Sequence, residues 1–482
     1  MHIGIFGYID MKKFFFSADG ANSILFLFLL VFFFSCSNVE GIDNNTPLPE
    51  IAVGKAMTNR AEVKLGDYAS LIEYIPLENS ADAQLATVDY ESYPNPKGGT
   101  VPYYKMLFSA DREKAGFKNF LYSNNQLLFF HANKGACSKQ VCHLFDIKGN
   151  FIKKVEYDST LSGLYCCVTG NYVNGDTLYT NVRVSNLNNA KEKPINKLFL
   201  YDLNTGELLK SFEHGEGNFI SIGPTSNFYK TVENNVSYGV IADGNLQITD
   251  KFLICKERPT RQTILNEKKS IIPGKRIKIF TQSFAHKSED GLLILQESSD
   301  TICTFSFSST KKECIPAYKI NFADTISTVM RGLKIDIFNF AESEDMIFMQ
   351  VKENKDYPFG GEWMKLDKEA QKVPYYKLSA EVYSDQIYNG REAVCYILYN
   401  KITGETLSPS AGNPVWMGGM TNDLDGGFPF WPEIVADGKM FQVVKAVDFI
   451  KLSKIYNSEK IKAIASKLTE DSNPVVVVAT LK

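Results

Sequence analysis

A short hairpin unit recurs along the chain: an apolar strand, a turn that begins with Asp or Asn, and a second strand. It occurs at residues 144–155, 200–212 and 398–407, and residues 304–314 carry a weaker copy without Gly. In such a turn the Asp or Asn side chain accepts backbone hydrogen bonds, and Gly adopts the positive φ that closes the hairpin. Since a short antiparallel meander cannot bury its faces alone, the recurrence predicts sheets that pack against one another.

The spacing of these units predicts an all-β fold, a β-propeller. From about residue 60, short apolar runs rich in Tyr and Phe alternate with Gly, Asn, Asp and Ser clusters, as is typical of many short strands. A propeller blade takes roughly 40–50 residues, and the irregular spacing over residues 61–482 favours six blades with insertions. The apolar strands at 71–78 and 474–481 would pair to close the ring. The near-helical spacing over residues 448–468 predicts a short C-terminal helical segment.

The N-terminus has the pattern of an export signal. Residues 24–34 are all apolar, Lys12 and Lys13 precede them, and Cys36 follows Ser35. This run is shorter than the roughly 20 residues that span a bilayer, so residues 1–36 are predicted to be a signal peptide, with translation starting at Met11. The polar residues 37–60 are predicted to be a flexible tether. The alternatives are an ordinary cleaved signal in which Cys36 has no role, or an uncleaved anchor.

Two resemblances follow from these motifs. The sequence Phe-Phe-Ser-Cys ending at Cys36 resembles the lipobox of bacterial lipoproteins, which implies that Cys36 is lipidated. Together with residues 73–79, 83–89, 419–432 and 473–482, it resembles the six-bladed, TolB-like β-propeller lipoproteins of Bacteroidetes, a family whose function is largely unknown. The resemblance implies a lipid-anchored protein of the cell envelope, and Ser37 after the Cys favours the outer membrane. It carries over no catalytic residue.

The Gly-rich loop near residue 424 is the strongest polar candidate for a ligand site. Asn422, Asp423 and Asp425 can supply oxygen ligands to Ca²⁺, although the downstream Glu of an EF-hand loop is absent. The alternative is a tight turn that orients the aromatic residues after it. Trp363, Trp416 and Trp431 are the three tryptophans of the chain, and next to Gly-rich loops they can stack on sugars or peptides; the alternative is core packing.

Four residues raise the question of zinc: His131, Cys137, Cys142 and His143. They lack the second matched ligand pair of a structural zinc site, which leaves a Cys137–Cys142 disulfide or buried free thiols as alternatives. No metal or other cofactor is therefore predicted.

Cys303 and Cys314 bracket a hairpin, where a disulfide needs an offset register. His214 follows the second repeat unit and His286 is predicted in a polar loop, and each can act as a general base beside Glu216 or Glu289. The alternative is that each histidine is only solvated.

Composition and missing motifs favour a binding role over catalysis. A net charge of -3 gives no basic footprint for nucleic acid, and a mean hydropathy of -0.16 excludes a polytopic membrane protein. The sequence has no Gly-x-Ser-x-Gly, His-Glu-x-x-His or phosphate-loop motif. It therefore predicts a membrane-tethered binding or protein-interaction module whose partner is an envelope protein, a glycan or a peptide. The alternative is an envelope hydrolase or lyase acting on glycans or peptides in the propeller funnel.

Overall fold

The computed structural model describes a β-rich unit that begins at Pro49. The residues it describes are 47–85, 92–94, 100–102, 120–131, 141–156, 165–185, 195–214, 219–223, 226–233, 236–243, 245, 247–255, 284–287, 291–295, 300–306, 313–321, 334–354, 392–409 and 418–482. The N-terminal elements are β1 (Glu50–Ile51), α1 (Val53–Thr58), a 3-10 turn (Leu65–Asp67), β2 (Ala69–Pro76), β3 (Ser92–Pro94) and β4 (Thr100–Pro102).

Six four-stranded antiparallel sheets follow, which we number blades 1 to 6. Blade 1 contains β5 (Phe120–Ser123), β6 (Gln126–His131), β7 (Val141–Asp146) and β8 (Phe151–Glu156); blade 2 contains β9 (Tyr165–Asn174), β10 (Thr177–Ser185), β11 (Ile195–Asp202) and β12 (Leu208–His214); blade 3 contains β13 (Phe219–Gly223), β14 (Ser226–Glu233), β15 (Val236–Asp243) and β16 (Ile248–Cys255). Blade 4 contains β17 (Phe284–Lys287), β18 (Gly291–Leu295), β19 (Thr301–Ser306) and β20 (Ile315–Ile320), and β1 adds to it in parallel; blade 5 contains β21 (Lys334–Glu342), β22 (Met346–Asn354), β23 (Glu392–Asn400) and β24 (Thr406–Leu407). Blade 6 contains β25 (Ile434–Ala436), β26 (Lys439–Val444), β27 (Val475–Leu481) and β2, and two helices, α2 (Ala446–Ile455) and α3 (Glu459–Ala465), connect β26 to β27.

The blades are arranged radially, with their first strands innermost. In each of blades 1 to 5 the strand order in the sheet follows the chain. The first strands of blades 5, 6, 1, 2 and 3 contact one another in turn, as β5 does with β9 and β25. The hydrophobic core is divided into six buried clusters, and each lies between two neighbouring blades. The cluster that joins blade 6 to blade 1 packs Phe441 and Val476 against Phe129 and Phe145. The structure is therefore a closed six-bladed β-propeller, which confirms the predicted fold.

The ring is closed by strands from both ends of the chain. β2 pairs antiparallel with β27, where Ile72 lies opposite Ala479 and Tyr74 lies opposite Val477. Blade 6 thus takes its outermost strand from the N-terminal region and its other three from the C-terminal region. This pairing agrees with the predicted closure by strands from the two ends of the chain.

The recurring sequence units are the hairpins between the third and fourth strands of blades 1, 2 and 5. Their turns begin with Asp146, Asp202 and Asn400, and in each case the side-chain Oδ1 accepts two backbone N–H groups at 2.6–2.9 Å. Asp243 does the same in blade 3, in a turn that the sequence pattern missed. The weaker copy spans β19 and the residues that lead to β20 in blade 4.

The N-terminal boundary of the propeller differs from its prediction. Residues 50–58, predicted as part of the tether, instead form β1 and α1. Ile51, Val53 and Ala56 are buried in the cluster between blades 4 and 5, so the burial of apolar side chains holds this segment against the ring.

The C-terminal helical prediction is confirmed as two short helices. Ser458 caps α3, since its hydroxyl accepts the N–H of Ile461 at 3.4 Å. Among the described residues, no helix has both the length and the apolar character needed to cross a membrane.

Candidate functional site

The two ends of the propeller are built differently. At one end, which we call the tight-turn end, short turns join the first strand of a blade to the second and the third to the fourth, as at residues 124–125, 175–176 and 437–438. Turns of neighbouring blades contact each other there. In blades 1 and 2, the Asn124 side-chain amide donates a hydrogen bond to the carbonyl oxygen of Gly175 at 3.0 Å.

The opposite end, which we call the long-connection end, carries all the long connections between strands. They include residues 256–283, 355–391, 408–433 and 445–474. The helices α2 and α3 and the Gly-rich loop at residues 422–427 belong to this end. A rigid ring that concentrates its variable connections at one end offers that end for recognition.

Asp425 is the centre of a polar network that holds the Gly-rich loop. Its Oδ1 accepts hydrogen bonds from the Tyr74 hydroxyl (3.0 Å), the Asn422 amide (2.8 Å) and the Gly427 N–H (3.1 Å). Its Oδ2 accepts from the Ser458 hydroxyl at 3.1 Å, at the start of α3. We call these residues the Asp425 network. It joins three distant segments: the ring-closing strand β2, the loop and the C-terminal helices.

Burial shapes the chemistry of this network. Desolvation raises the pKa of Tyr74, and the neighbouring Asp425 carboxylate raises it further, so the phenol stays a hydrogen-bond donor at physiological pH. The Asn422 amide also donates to the Tyr74 oxygen at 2.9 Å. Asn422 is buried, and its Oδ1 has no hydrogen-bond partner within the described part of the chain.

Asp423 faces a different partner from Asp425. Its Oδ1 accepts the N–H of Gly66 at 2.7 Å, in the 3-10 turn that precedes β2. The space is close, since a Cβ on Gly66 would lie 2.9 Å from Asp423 Oδ2. The two carboxylates predicted as calcium ligands are thus engaged with donors in separate segments. Within the described ranges, no three His, Cys, Asp or Glu side chains are grouped so that they could hold a metal ion.

Trp431, one of the three candidate aromatic residues, lies in the core. It is 1% exposed and packs edge-on against Phe348 at 5.7 Å and Tyr396 at 5.1 Å between ring centroids. This placement matches the core-packing alternative and the tight-turn interpretation of the loop before it. Trp363 and Trp416 fall outside the described residues, in the connections 355–391 and 408–433, and Cys36 also lies outside them.

The four residues considered for zinc do not come together where the structure describes them. Cys142 and His143 are consecutive on β7, so their side chains point to opposite faces of blade 1. Cys142 is a buried free thiol in the cluster with blade 2, whereas the His143 ring lies 6.0 Å from that of Phe151. Burial raises the pKa of Cys142 and lowers that of His143. Cys137 and the side chain of His131 lie outside the described residues.

The second cysteine pair also forms no disulfide. Cys303 lies opposite Pro316 in the ladder rather than opposite Cys314. Burial, with a smaller contribution from Cys303, raises the pKa of Cys314 to about 12. Cys314 therefore remains protonated at neutral pH.

Both candidate histidine bases lie on strands, and the polar loop predicted for His286 is wrong. His214 is the last residue of β12 and lies opposite Asn196. His286 lies on β17, because residues 284–287 pair with residues 292–295 of β18. The acidic side chain near His286 is Glu342 of blade 5, whereas Glu289, its neighbour in sequence, lies outside the described residues.

A family model matches part of the chain. The model of a domain of unknown function, DUF4933, matches residues 262–457, which extend through blades 4 and 5 into blade 6 and α2. No curated protein matches the sequence.

The fold is similar to that of a Bacteroides fragilis NCTC 9343 protein described as exported. The TM-score is 0.51 at 10% identity, covering 90% of this chain and 100% of that one. The β-propeller domain of the trilobed protease from Pyrococcus furiosus gives a TM-score of 0.30 at 10% identity, covering 68% of this chain and 77% of that one. The acylaminoacyl peptidase of Pyrococcus horikoshii gives 0.33 at 10% identity, covering 68% and 42%. The Bacteroides structure supports the fold alone, and the two archaeal ones carry no argument.

Proposed function

We propose that this chain is a membrane-tethered β-propeller lipoprotein, related to the TolB-like lipoproteins of Bacteroidetes. It acts as a binding or protein-interaction module in the bacterial cell envelope, anchored to the outer membrane through lipidated Cys36. Its partner is an envelope protein, a glycan or a peptide, which binds at the long-connection end.

The observation that carries this proposal is the difference between the two ends of the ring. The tight-turn end repeats one local solution, the Asp- or Asn-capped hairpin, in blade after blade. The long-connection end differs from blade to blade, and the Asp425 network fastens one of its loops to β2 and α3. Preformed surfaces on rigid scaffolds lose little conformational entropy on binding, which suits a recognition surface.

The anchor is supported by the sequence before the propeller. An apolar run at residues 24–34, a lipobox-like Cys36 and a polar segment after it precede the first ordered strand. The similar fold of a Bacteroides fragilis protein described as exported is consistent with an envelope location.

Fatty-acid labelling tests the anchor. The full chain is expressed in a Bacteroides host that is fed an alkyne fatty acid, and the label is read after membrane fractionation. We expect a labelled chain in the outer-membrane fraction, and an unlabelled one when Cys36→Ser is introduced. A labelled Cys36→Ser chain, or an unlabelled wild type, would exclude the lipoprotein.

Array binding tests the recognition surface. The lipid-free Cys36→Ser protein is applied to arrays of envelope glycans and peptides, and each hit is measured by calorimetry. Replacing Trp363 or Trp416 by Ala should weaken binding by about tenfold or more, the usual effect of removing an anchoring aromatic residue. Ile402, which is 75% exposed in a turn at the tight-turn end, supplies the control substitution Ile402→Ala, which should leave affinity unchanged. Cleavage of an array compound would instead favour the hydrolase or lyase alternative.

A further inference from the structure

An ionisable cluster lies where blades 4 and 5 meet. His286 is on β17, the innermost strand of blade 4, and Glu342 ends β21, the innermost strand of blade 5. The ammonium group of Lys401 lies 2.6 Å from Glu342 Oε1 and 2.7 Å from the carbonyl oxygen of Ser343. The Nε2 atom of His286 lies 3.9 Å from Glu342 Oε2.

The two oxygens of Glu342 are in unequal situations. Oε1 has the Lys401 ammonium group, whereas Oε2 is buried and has no hydrogen-bond partner among the described residues. The whole side chain is only 12% exposed, so water compensates this oxygen poorly, and an unsatisfied buried acceptor costs free energy. On the blade 4 side, the Nε2 atom of the His286 imidazole lies about one ångström beyond hydrogen-bond distance from Oε2.

Aromatic, acidic and basic groups surround the His286 imidazole. Across the interface, β21 presents the ring of Phe340, 4.9 Å from the imidazole, and the carboxylate of Glu342. The turn after β23 supplies Lys401. Tyr318, on β20, also lies near Glu342. Burial raises the pKa of Tyr318, and the charge of Glu342 raises it further.

The protonation state of His286 determines whether its Nε2 atom always carries a proton that Glu342 Oε2 can accept. Neutral imidazole has a single N–H, which need not be on Nε2, while the protonated ring donates from both nitrogens. A small rotation of either side chain then brings Nε2–H within reach of Oε2 and forms a charge-assisted hydrogen bond.

We propose that His286 and Glu342 form a pH-dependent latch between blades 4 and 5. When His286 is protonated, its Nε2–H donates a charge-assisted hydrogen bond to Glu342 Oε2 and ties the two innermost strands together; when it loses the proton, the charge assistance is lost and the latch weakens. The latch stabilises the interface at pH values where His286 is charged. Because the latch favours the charged imidazole in the folded state, its contribution is complete below about 6.5, the ordinary pKa of histidine in an unfolded chain, and is lost as the pH rises above that value.

A double-mutant cycle at two pH values tests the latch. Urea unfolding of the full chain is measured for wild type, His286→Gln, Glu342→Gln and the double variant at pH 5.5 and 7.5. We expect the coupling between the two positions to be about tenfold larger, in the unfolding equilibrium constant, at pH 5.5 than at pH 7.5, in keeping with a hydrogen bond to a charged group. Equal coupling at the two pH values overturns the latch.

His143→Gln is the matched control. The pKa of His143 is lowered by burial, so its contribution to stability has the opposite dependence on pH. If a variant fails to fold, hydrogen exchange of the wild type, corrected for intrinsic rates, decides: β17 and β21 should be more protected at pH 5.5 than at 7.5. Equal protection of these strands at both pH values overturns the proposal.

Discussion

Replacing Asp425 by Ala tests whether the Asp425 network joins ring closure to the long-connection end. The carboxylate accepts four hydrogen bonds, from Tyr74, Asn422, Gly427 and Ser458, at 2.8–3.1 Å. Its removal leaves the hydroxyls of Tyr74 and Ser458, which are 7% and 2% exposed, without their acceptor. We therefore expect the free energy of unfolding to fall much more than it does for a typical surface substitution.

The magnitude follows from the number and burial of these donors. A hydrogen bond to a charged group contributes about 1.5–3 kcal/mol, and a buried donor left without an acceptor costs a similar amount. Asp425 itself is only partly buried, so water can replace some of what is lost. The free energy of unfolding should fall by about 3 kcal/mol. For a chain of this size, in which the unfolding entropy is about 0.9 kcal/mol/K, this lowers the Tm by about 3 °C.

The assay is urea unfolding followed by tryptophan fluorescence, together with hydrogen exchange. Trp431 belongs to the same cluster as Tyr74 and reports directly on it. Asp425→Asn keeps the shape and one acceptor oxygen, and should lose about 1 kcal/mol. Asp423→Ala is the matched control, because that exposed carboxylate accepts one described bond, from Gly66, and should lose less than about 1 kcal/mol.

Exchange should rise in β2 and α3 in the Asp425→Ala variant and stay unchanged in the Asp423→Ala variant. Equal losses in the two variants, or unaltered exchange in α3, would refute the reasoning that the network couples these segments.

Substitutions at four further positions probe the ring. Gly149 and Gly404 both have positive φ (86° and 74°), but only at Gly149 would a Cβ meet the Pro76 carbonyl oxygen, at 2.5 Å. Gly149→Ala should therefore lower the urea midpoint clearly more than Gly404→Ala does. Equal midpoints would contradict a tight contact between blades 1 and 6. Trp431→Phe should destabilise by about 1–2 kcal/mol and Trp431→Ala by about 4 kcal/mol, because the cavity grows with the volume removed; equal losses would argue against core packing. Burial lowers the pKa of His143, so the unfolded chain binds this proton more readily and stability falls as the pH drops below about 6.5. His143→Gln should therefore lose less unfolding free energy than the wild type between pH 7.5 and 5.5. Parallel curves of unfolding free energy against pH for the two proteins would contradict this.

The parts of the fold that the sequence predicts are those set by local rules. The turns at Asp146, Asp202 and Asn400 are recognisable because the capping side chain and the Gly lie within a few residues of one another. The turn at Asp243 was missed because its Gly follows immediately, which changes the spacing. The segment at residues 50–58 was missed because its apolar residues are buried against strands from far along the chain, a contact that local spacing does not reveal.

The candidate site is less predictable because its contacts are almost all non-local. The loop at 422–427 was recognised as a polar turn, but its partners Tyr74 and Ser458 come from β2 and from the start of α3. Likewise, the pairing of His286 with Glu342 depends on which blades are neighbours. Sequence spacing indicates which side chains are able to bind a ligand, whereas the closure of the ring determines which residues they contact.

Ring closure is therefore coupled to the long-connection end at one place in this molecule. β2 closes the ring by pairing with β27, and through Tyr74 it also holds the Asp425 network of the long-connection end. A substitution that loosens β2 should disturb both the stability of the ring and the presentation of that end. A substitution in a turn at the tight-turn end, such as Ile402→Ala, should disturb neither. If ligand affinity followed the stability of β2 but not that of the tight turns, the long-connection end would be established as the binding surface independently of the chemistry of its ligand.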